Sequence, residues 1–421
     1  MSAKKNWWES ALIYSLYIDK FAGNLTKLTN NLSYFNLLNV NALWLLPHYP
    51  SPMVDAGYDV SDYQNVRAEL GTLESFELFV KTAHQNNLKI IIDLPLNHTS
   101  NQHPWFLEAS KNKLSPYRDY YLWSNDQKSY AKAQNPFENI KANNWIFNPD
   151  TNDYYFATFY PEQPDLNWDN SKVLEEMVSI INFWINMGID GFRLDAVARI
   201  IKRDKTDCFN LPEVHKVIQK LRKHISKINA NVILFAESDL KIPEAKTFFG
   251  SGDECQMSLN FELSLALWQK ILKVNSKAVE KALSYSYGLP DECTWGTFLD
   301  NHDSHALYLL DKKTREKLGK AMDPQNEFSI EIGNKTSTRV ANILKSDHTE
   351  MIKAYAELLQ LPGAHILYYG DELGMLNSIT SEKSNDTRHF VRGKFDWEEV
   401  KKQIDTKDSF LNHFIELVSK F

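Results

Sequence analysis

Short apolar runs alternate along the chain with longer segments in which apolar residues recur at spacings of three and four. The short runs lie at 12–18, 42–46, 89–94, 191–194, 232–236, 256–261, 296–299 and 365–369, and they read as strands buried on both faces. The longer segments, at 24–38, 73–86, 171–187, 212–227, 263–274 and 349–361, read as amphipathic helices. A last helix over 409–421 puts Phe410, Phe414, Leu417, Val418 and Phe421 on one face and closes the array. Such alternation predicts βα units around a parallel sheet, and eight runs predict an α/β fold of the closed (β/α)8 TIM-barrel type.

Two connections break the rhythm. From 99 to 169 the chain is rich in Trp, Tyr, Asn, Pro and Lys and shows no clear helical period. A compact domain does not tolerate a structureless loop of that length. The prediction is a small domain at 99–169, inserted after the third strand and lying over the barrel mouth, with 1–98 and 170–421 forming the barrel. A second polar connection, from about 304 to 347, is expected beside the seventh strand. No β-rich segment follows the last helix, so no C-terminal β-sandwich is expected.

Composition narrows the partners. Acidic residues exceed basic ones, for a formal charge of -7, and no basic stripe offers itself to a phosphate backbone, so nucleic acid is not expected as a partner. No uninterrupted apolar stretch is long enough to predict a membrane span. The N-terminal lysines precede an apolar run, but Glu9 interrupts it and no small-residue cleavage site follows Ile18, so that run reads as the first core strand. Cys208, Cys255 and Cys293 are scattered, with no CxxC spacing. They predict neither disulfides nor a zinc site and suit a reducing cytoplasm. Aromatics make up 13% of residues, enough to serve both a core and a sugar-stacking surface.

In a barrel of this kind the working groups project from the C-terminal ends of the strands. Those positions are rich in carboxylates and histidines: Asp93, Asn97 and His98 in DLPLNH, Arg193 and Asp195 in GFRLDAV, Glu237 in FAES, and His302 and Asp303 in NHD. Glycosidic cleavage with retention needs one carboxylate to attack the anomeric carbon and a protonated one to serve the leaving oxygen, about 5 Å apart. Asp195 and Glu237, on adjacent strand ends, meet that topology. Arg193 is expected to keep Asp195 ionised, negative neighbours to raise Glu237, and Asp303 to add a third carboxylate. A lone Asp or Glu at a strand end is more often a helix cap or a salt-bridge partner, and Asp93, close to its strand, is expected to be structural. Four motifs converging on one face argue against that reading for the rest.

These motifs, in this order and spread over nearly the whole chain, resemble the α-amylase family of glycoside hydrolases, family 13. The resemblance implies Asp195 as nucleophile, Glu237 as general acid/base and Asp303 as the residue that grips sugar hydroxyls, with His98, Arg193 and His302 lining the subsite of the attacked glucose. Further segments are similar to the α-glucosidase and trehalose synthase branch: ALWLLPHYPSPMVDAGYDVSDY (42–63), QPDLNW (163–168), YLWSNDQKSY (121–130) and NNWIFNPDTNDYYFATFY (143–160). By that resemblance Tyr58 stacks on the glucose ring, Asp55 binds its distal hydroxyls, Phe159 and Gln163 join the substrate-binding set, and Arg392 in VRGKFDW pairs with Asp55 to wall off the pocket beyond one glucose. Such a pocket implies exo action on short substrates.

Calcium is not expected at DKFAGNLTKL (19–28), which lacks the alternating carboxylates of a calcium loop. Asn97 is a candidate for another calcium site of the family, but no ligand set can be assigned around it. No metal and no cofactor are therefore expected. The expected activity is retaining hydrolysis or transfer of α-glucosyl units from short α-glucosides through a covalent glucosyl-enzyme, on an oligosaccharide or disaccharide. The alternative is trehalose synthase-type interconversion of maltose and trehalose. After Asp303 the chain reads SHALYLL, which departs from the glutamate-led sequence usual in trehalose synthases. An alternative of another class is a catalytically inactive sugar- or partner-binding barrel, as in amino-acid transporter heavy subunits, but here all three carboxylate positions are filled.

Overall fold

Eight parallel strands, β1 (Leu12–Leu16), β2 (Ala42–Leu45), β3 (Lys89–Pro95), β4 (Gly191–Asp195), β5 (Ile233–Ala236), β6 (Met257–Leu259), β7 (Thr294–Phe298) and β8 (Ala364–Tyr368), close into a barrel. Each strand pairs with its neighbours in sequence, and β8 returns to β1. The computed structural model describes residues 6–330, 335–379 and 386–421. Lys4 and Lys5 and a short part of the expected connection at 304–347 lie outside the described residues.

The (β/α)8 barrel arises as the apolar pattern predicts. Strands β1, β2 and β4 are buried along their whole length, because the barrel interior takes one set of side chains and the surrounding helices take the other. The helix Leu73–Gln85 starts at a capping box made by Thr72 and Ser75. Ser171–Asn186 is capped by Asn170 and buries Val173, Met177, Ile180, Ile181 and Trp184, an i, i+3/i+4 stripe. Pro212 opens Pro212–Ile228 at a position where its missing N–H costs nothing.

Several expected elements differ in detail. The helix expected at 24–38 is two, Leu25–Asn30 and Ser33–Leu37, because Asn31 ends the first and its side-chain amide donates to the carbonyl of Lys27. The last helix is Phe410–Val418. Phe410, Phe414 and Val418 are fully buried, whereas Phe421 lies beyond the helix end and is exposed.

Between β3 and β4 the chain forms a helix, Pro104–Lys111, and a three-stranded antiparallel sheet of Trp123–Ser124, Asp153–Phe156 and Trp145–Asn148. Its composition hid the helix, whose start is set by His103, with Nδ1 accepting from Trp105 N, and by Pro104. The polar connection after β7 contains Lys312–Met322, capped by Asp311; it buries only Leu318, Gly319 and Met322, too thin a stripe to read from spacing. Among the described residues, no helix is long and apolar enough to cross a membrane.

Candidate active site

Barrel register brings the polar residues together. Asp93 on β3 stands opposite Arg193 on β4, and Pro95 opposite Asp195. The two-residue period of a strand sends Asp93, Arg193 and Asp195 to the same side, into the barrel. On the next strand, Glu237 N donates to the carbonyl of Leu194, which seats Glu237 one step beyond Ala236 at the strand end.

Arg193 is fully buried and organises the centre. Its Nη1 donates to Asp93 Oδ1 at 2.6 Å and to Asp195 Oδ1 at 2.7 Å. Its Nη2 stands 2.8 Å from Glu237 Oε1, but without hydrogen-bond geometry. Glu237 Oε2 accepts from the backbone N–H of Ala196 at 2.9 Å. Ala196 has φ 47°, a left-handed conformation that costs a residue with a Cβ about 1 kcal/mol or more. The turn after Asp195 is therefore held in a strained form that points its N–H at the second carboxylate.

Asp93 lies beneath this pair, fully buried, and also accepts from Trp44 Nε1 and Tyr58 Oη at 3.2 Å each. Tyr58 Oη is 2.6 Å from His302 Nε2, and their rings are stacked 5.7 Å apart. His98 Nε2 lies 3.0 Å from Gln163 Nε2, and Gln163 Nε2 also donates to Asp55 Oδ2 at 3.1 Å. The ring of Phe159 meets His98 edge-on at 5.3 Å. Asp55 is aimed by Asp59, whose carboxylate caps Val54 N and Asp55 N at 3.0 Å each.

Asp55 does not pair with Arg392. Arg388 Nη2 donates to Asp55 Oδ1 at 2.7 Å, while Arg392 Nη2 reaches Asp303 Oδ1 at 2.8 Å and its Nε donates to the carbonyl of His302. The two arginines sit at opposite ends of the 3-10 helix Thr387–Val391, so only the first faces Asp55. Asp386, at the cap of that helix, grips Arg388 Nε and Nη2 and also accepts from Tyr160 Oη at 2.8 Å. Arg388 was not among the residues singled out in the sequence; its only signal was the Asp-x-Arg spacing with Asp386.

One cavity of about 530 Å³ receives the constellation. Asp55, Tyr58, His98, Phe159, Asp195, Glu237 and Asp303 line it, as does Arg388. Gln163, Arg193, His302 and Arg392 stand behind these residues and orient them. The cavity wall also contains Gln134, Arg199, Asp239 and Tyr308, which the strand-end motifs did not reveal.

The electrostatics separate the carboxylates. Burial raises Asp195 and Glu237 above the ordinary carboxylate range, opposed in both by the charge of Arg193. Arg193 is hydrogen-bonded to Asp195 and only near Glu237. Burial alone would raise Asp303, but the guanidinium groups of Arg388 and Arg392 beside it hold it below the usual range. Burial lowers His302 to about 3, so at neutral pH its imidazole is uncharged and the arginines are what keep Asp303 ionised. Burial also lowers His98.

Asn97, the candidate calcium ligand, faces an ammonium group instead. Lys202 Nζ lies 2.8 Å from Asn97 Oδ1, 2.5 Å from the carbonyl of Arg199 and 2.8 Å from Asp165 Oδ2. Three oxygens from three segments thus surround one buried positive charge. Among the described residues there is no group of three or more His, Cys, Asp or Glu that could hold a metal ion.

Comparison with known proteins agrees with this geometry. Residues 2–320 match the model of the alpha amylase catalytic domain. The chain is 37% identical over 383 residues to the trehalose synthase/amylase TreS of Mycolicibacterium smegmatis, covering 88% of this chain and 64% of that one. It is 38% identical over 377 residues to the trehalose synthase of Thermus thermophilus, covering 88% of this chain and 39% of that one. The chain thus spans less than two thirds of the length of these relatives. The crystal structure of the alpha-amylase from H.orenii superposes with a TM-score of 0.77 at 27% identity, over 99% of this chain and 82% of that one. With three carboxylates converging at the strand ends of a closed barrel and the catalytic-domain model matched over most of its length, this chain belongs to the alpha-amylase family.

Proposed function

We propose that the protein transfers α-glucosyl units from short α-glucosides by a retaining, two-step mechanism. Asp195 attacks the anomeric carbon from one side while Glu237 delivers its proton to the glycosidic oxygen, and the carbon–oxygen bond breaks. The leaving sugar departs with that proton, and glucose remains esterified to Asp195. Glu237, now a carboxylate, then takes a proton from water or from a sugar hydroxyl, and the freed oxygen attacks the same carbon and displaces Asp195. Asp303, held ionised by Arg388 and Arg392, stands where it can bind two hydroxyls of the distorted ring and offset its positive charge. The 99–169 segment acts as a small domain over the mouth. The scattered cysteines fit a cytoplasmic setting.

The observation that carries this reading is the shared contact of Asp195 and Glu237 with one guanidinium at the end of an open cavity. Two carboxyl groups on one side chain are close enough for the spacing of about 5 Å that retention requires. Arg388 and Asp55 are paired in the cavity wall, and as a closed end to the sugar site they would favour release of single glucosyl units over cutting within a polymer. The test is Asp195→Asn assayed on an aryl α-glucoside. A loss of at least about 10³-fold in kcat/KM is expected, and activity near that of the parent refutes the assignment.

A second reading, interconversion of maltose and trehalose, is favoured by the names of the similar relatives and uses every step up to the glucosyl-enzyme. Product analysis after incubation with maltose separates the two: trehalose supports interconversion, and free glucose alone supports hydrolysis.

A further inference from the structure

Arg392, whose guanidinium reaches Asp303, is set by the backbone on either side of it. The carbonyl of Val391 accepts from Arg339 Nη2 at 2.8 Å and from Tyr368 Oη at 3.0 Å, which uses both of its lone pairs. The carbonyl of Gly393 accepts from Tyr369 Oη at 2.5 Å. Three donors from outside the 3-10 helix Thr387–Val391 therefore bracket Arg392, which in turn touches Asp303 and the carbonyl of His302. Arg339 stands at the centre of this clamp. It is fully buried, its Nη1 donates to the carbonyl of Tyr369 at 2.9 Å, and its guanidinium lies 4.5 Å from the ring centre of Tyr368 and 5.0 Å from that of Tyr369. One planar group thus joins the end of β8 to the end of the helix that carries the two arginines. Its own backbone is held as well, since Arg339 N donates to Asn377 Oδ1 and Asn377 Nδ2 donates to the carbonyl of Ser337, at 2.9 Å each.

We propose that Arg339 is a positioning residue for glucosyl transfer: by fixing the carbonyl of Val391 it aims Arg392 at Asp303, and so sets how Asp303 meets the sugar. The inference deepens the glucosyl-transfer reading and rests on the role given there to Asp303. Arg339 does not line the cavity, so it acts only through Arg392. Chemistry accounts for the residue type. A guanidinium presents its donors in a rigid plane, which lets one side chain reach carbonyls of two segments while its faces meet aromatic rings; an ammonium is a point charge without that fork. The contact of Nη1 with Asp371 Oδ1, at 3.4 Å, is long beside those to the two carbonyls. A buried cation held mainly by carbonyls is expensive to desolvate, and apolar side chains of similar volume would stabilise the fold as well or better. What the charge supplies is geometry. The demand for it is sharp, because a misplacement of about 1 Å caused far from the chemistry can lower a rate by about 10²-fold.

The test is a double-mutant cycle in the full chain with α-glucosyl fluoride as donor: parent, Arg339→Lys, Arg392→Ala and the double variant, each shown by urea unfolding to be folded under assay conditions. Arg339→Lys is expected to lower kcat at least about tenfold while KM changes less than about threefold. In the Arg392→Ala background the same substitution should lower kcat less than about twofold, because the residue it positions is already gone. A merely structural role lowers kcat equally in both backgrounds. Equal losses overturn the proposal, as does an unchanged kcat in Arg339→Lys. Should Arg339→Lys not fold, Tyr368→Phe takes its place in the cycle, since it keeps the ring and removes the other donor to the same carbonyl. Its expected loss is at least about threefold in the parent and less than about 1.5-fold beside Arg392→Ala, and equal or absent losses again overturn the proposal. If the parent releases no fluoride at all, the glucosyl-transfer reading itself fails, a result seen before any substitution is made.

Discussion

Arg388 Nη2 and Asp55 Oδ1 meet at 2.7 Å, and this pair rather than one with Arg392 stands in the cavity wall. Both side chains are largely withdrawn from solvent, at 12% and 6% exposure, so removing Arg388 leaves Asp55 as a buried charge without its cation, whereas Arg388 would keep Asp386. Arg388→Ala should therefore lower kcat/KM for disaccharides by about 10²-fold or more, chiefly through KM. Arg392→Ala should act chiefly on kcat, because Arg392 reaches Asp303 at 2.8 Å and the carbonyl of His302 but not Asp55, whereas Arg388 lies 2.7 Å from Asp55 and 3.3 Å from Asp303. Steady-state kinetics of the two variants check this, and identical KM and kcat changes contradict it.

Lys202 holds together the barrel and the segment that precedes β4. Its ammonium is 3% exposed and sits between Asn97, at the end of β3, Asp165 and the carbonyl of Arg199. Lys202→Met removes the charge and leaves the Asp165 carboxylate buried without it. A loss of about 3–5 kcal/mol in unfolding free energy is expected, read from urea denaturation. An unchanged midpoint contradicts the role assigned to Lys202.

Much of this was legible in the sequence, and the boundary between what was and was not has physical causes. All eight barrel strands were readable, because strands covered on both faces are continuous apolar runs. Asp195, Glu237 and Asp303 were readable because they stand at or within five residues of the strand ends, where a barrel concentrates its chemistry. Lys202 and Arg388 were not. Lys202 acts from a loop and Arg388 from a short 3-10 helix, each at a distance from any strand end that no period predicts, and each with a partner remote in sequence. The Arg392 expectation failed for the same reason: two arginines on one short helix differ by a turn, and only packing decides which faces Asp55. Asp239 lay two residues past an identified carboxylate but gave no sign of its partners Arg199 and Tyr308.

Stability should respond to pH through Glu372. This carboxyl is buried after β8, accepts from Tyr14 Oη and Tyr34 Oη at 2.7 Å each, and is raised by burial from 4.5 to about 7. A raised acid favours the folded state while it is protonated. Its contribution is complete below 4.5, the value it takes when unfolded, and declines as pH rises through about 7. Between about pH 5 and about pH 8 the parent should lose up to about 3 kcal/mol that Glu372→Gln does not lose. Urea unfolding of both proteins across that range checks it, and parallel pH profiles contradict it.

The central claim is that Asp195 forms a bond to the sugar. The most direct measurement is intact-protein and peptide mass spectrometry after incubation with 5-fluoro-α-glucosyl fluoride, which slows release of the intermediate while leaving fluoride a good leaving group. The account predicts one fluoroglucosyl unit per chain, located on the peptide containing Asp195. A label on Glu237 or Asp303, or steady fluoride release with no label on the protein, would contradict it.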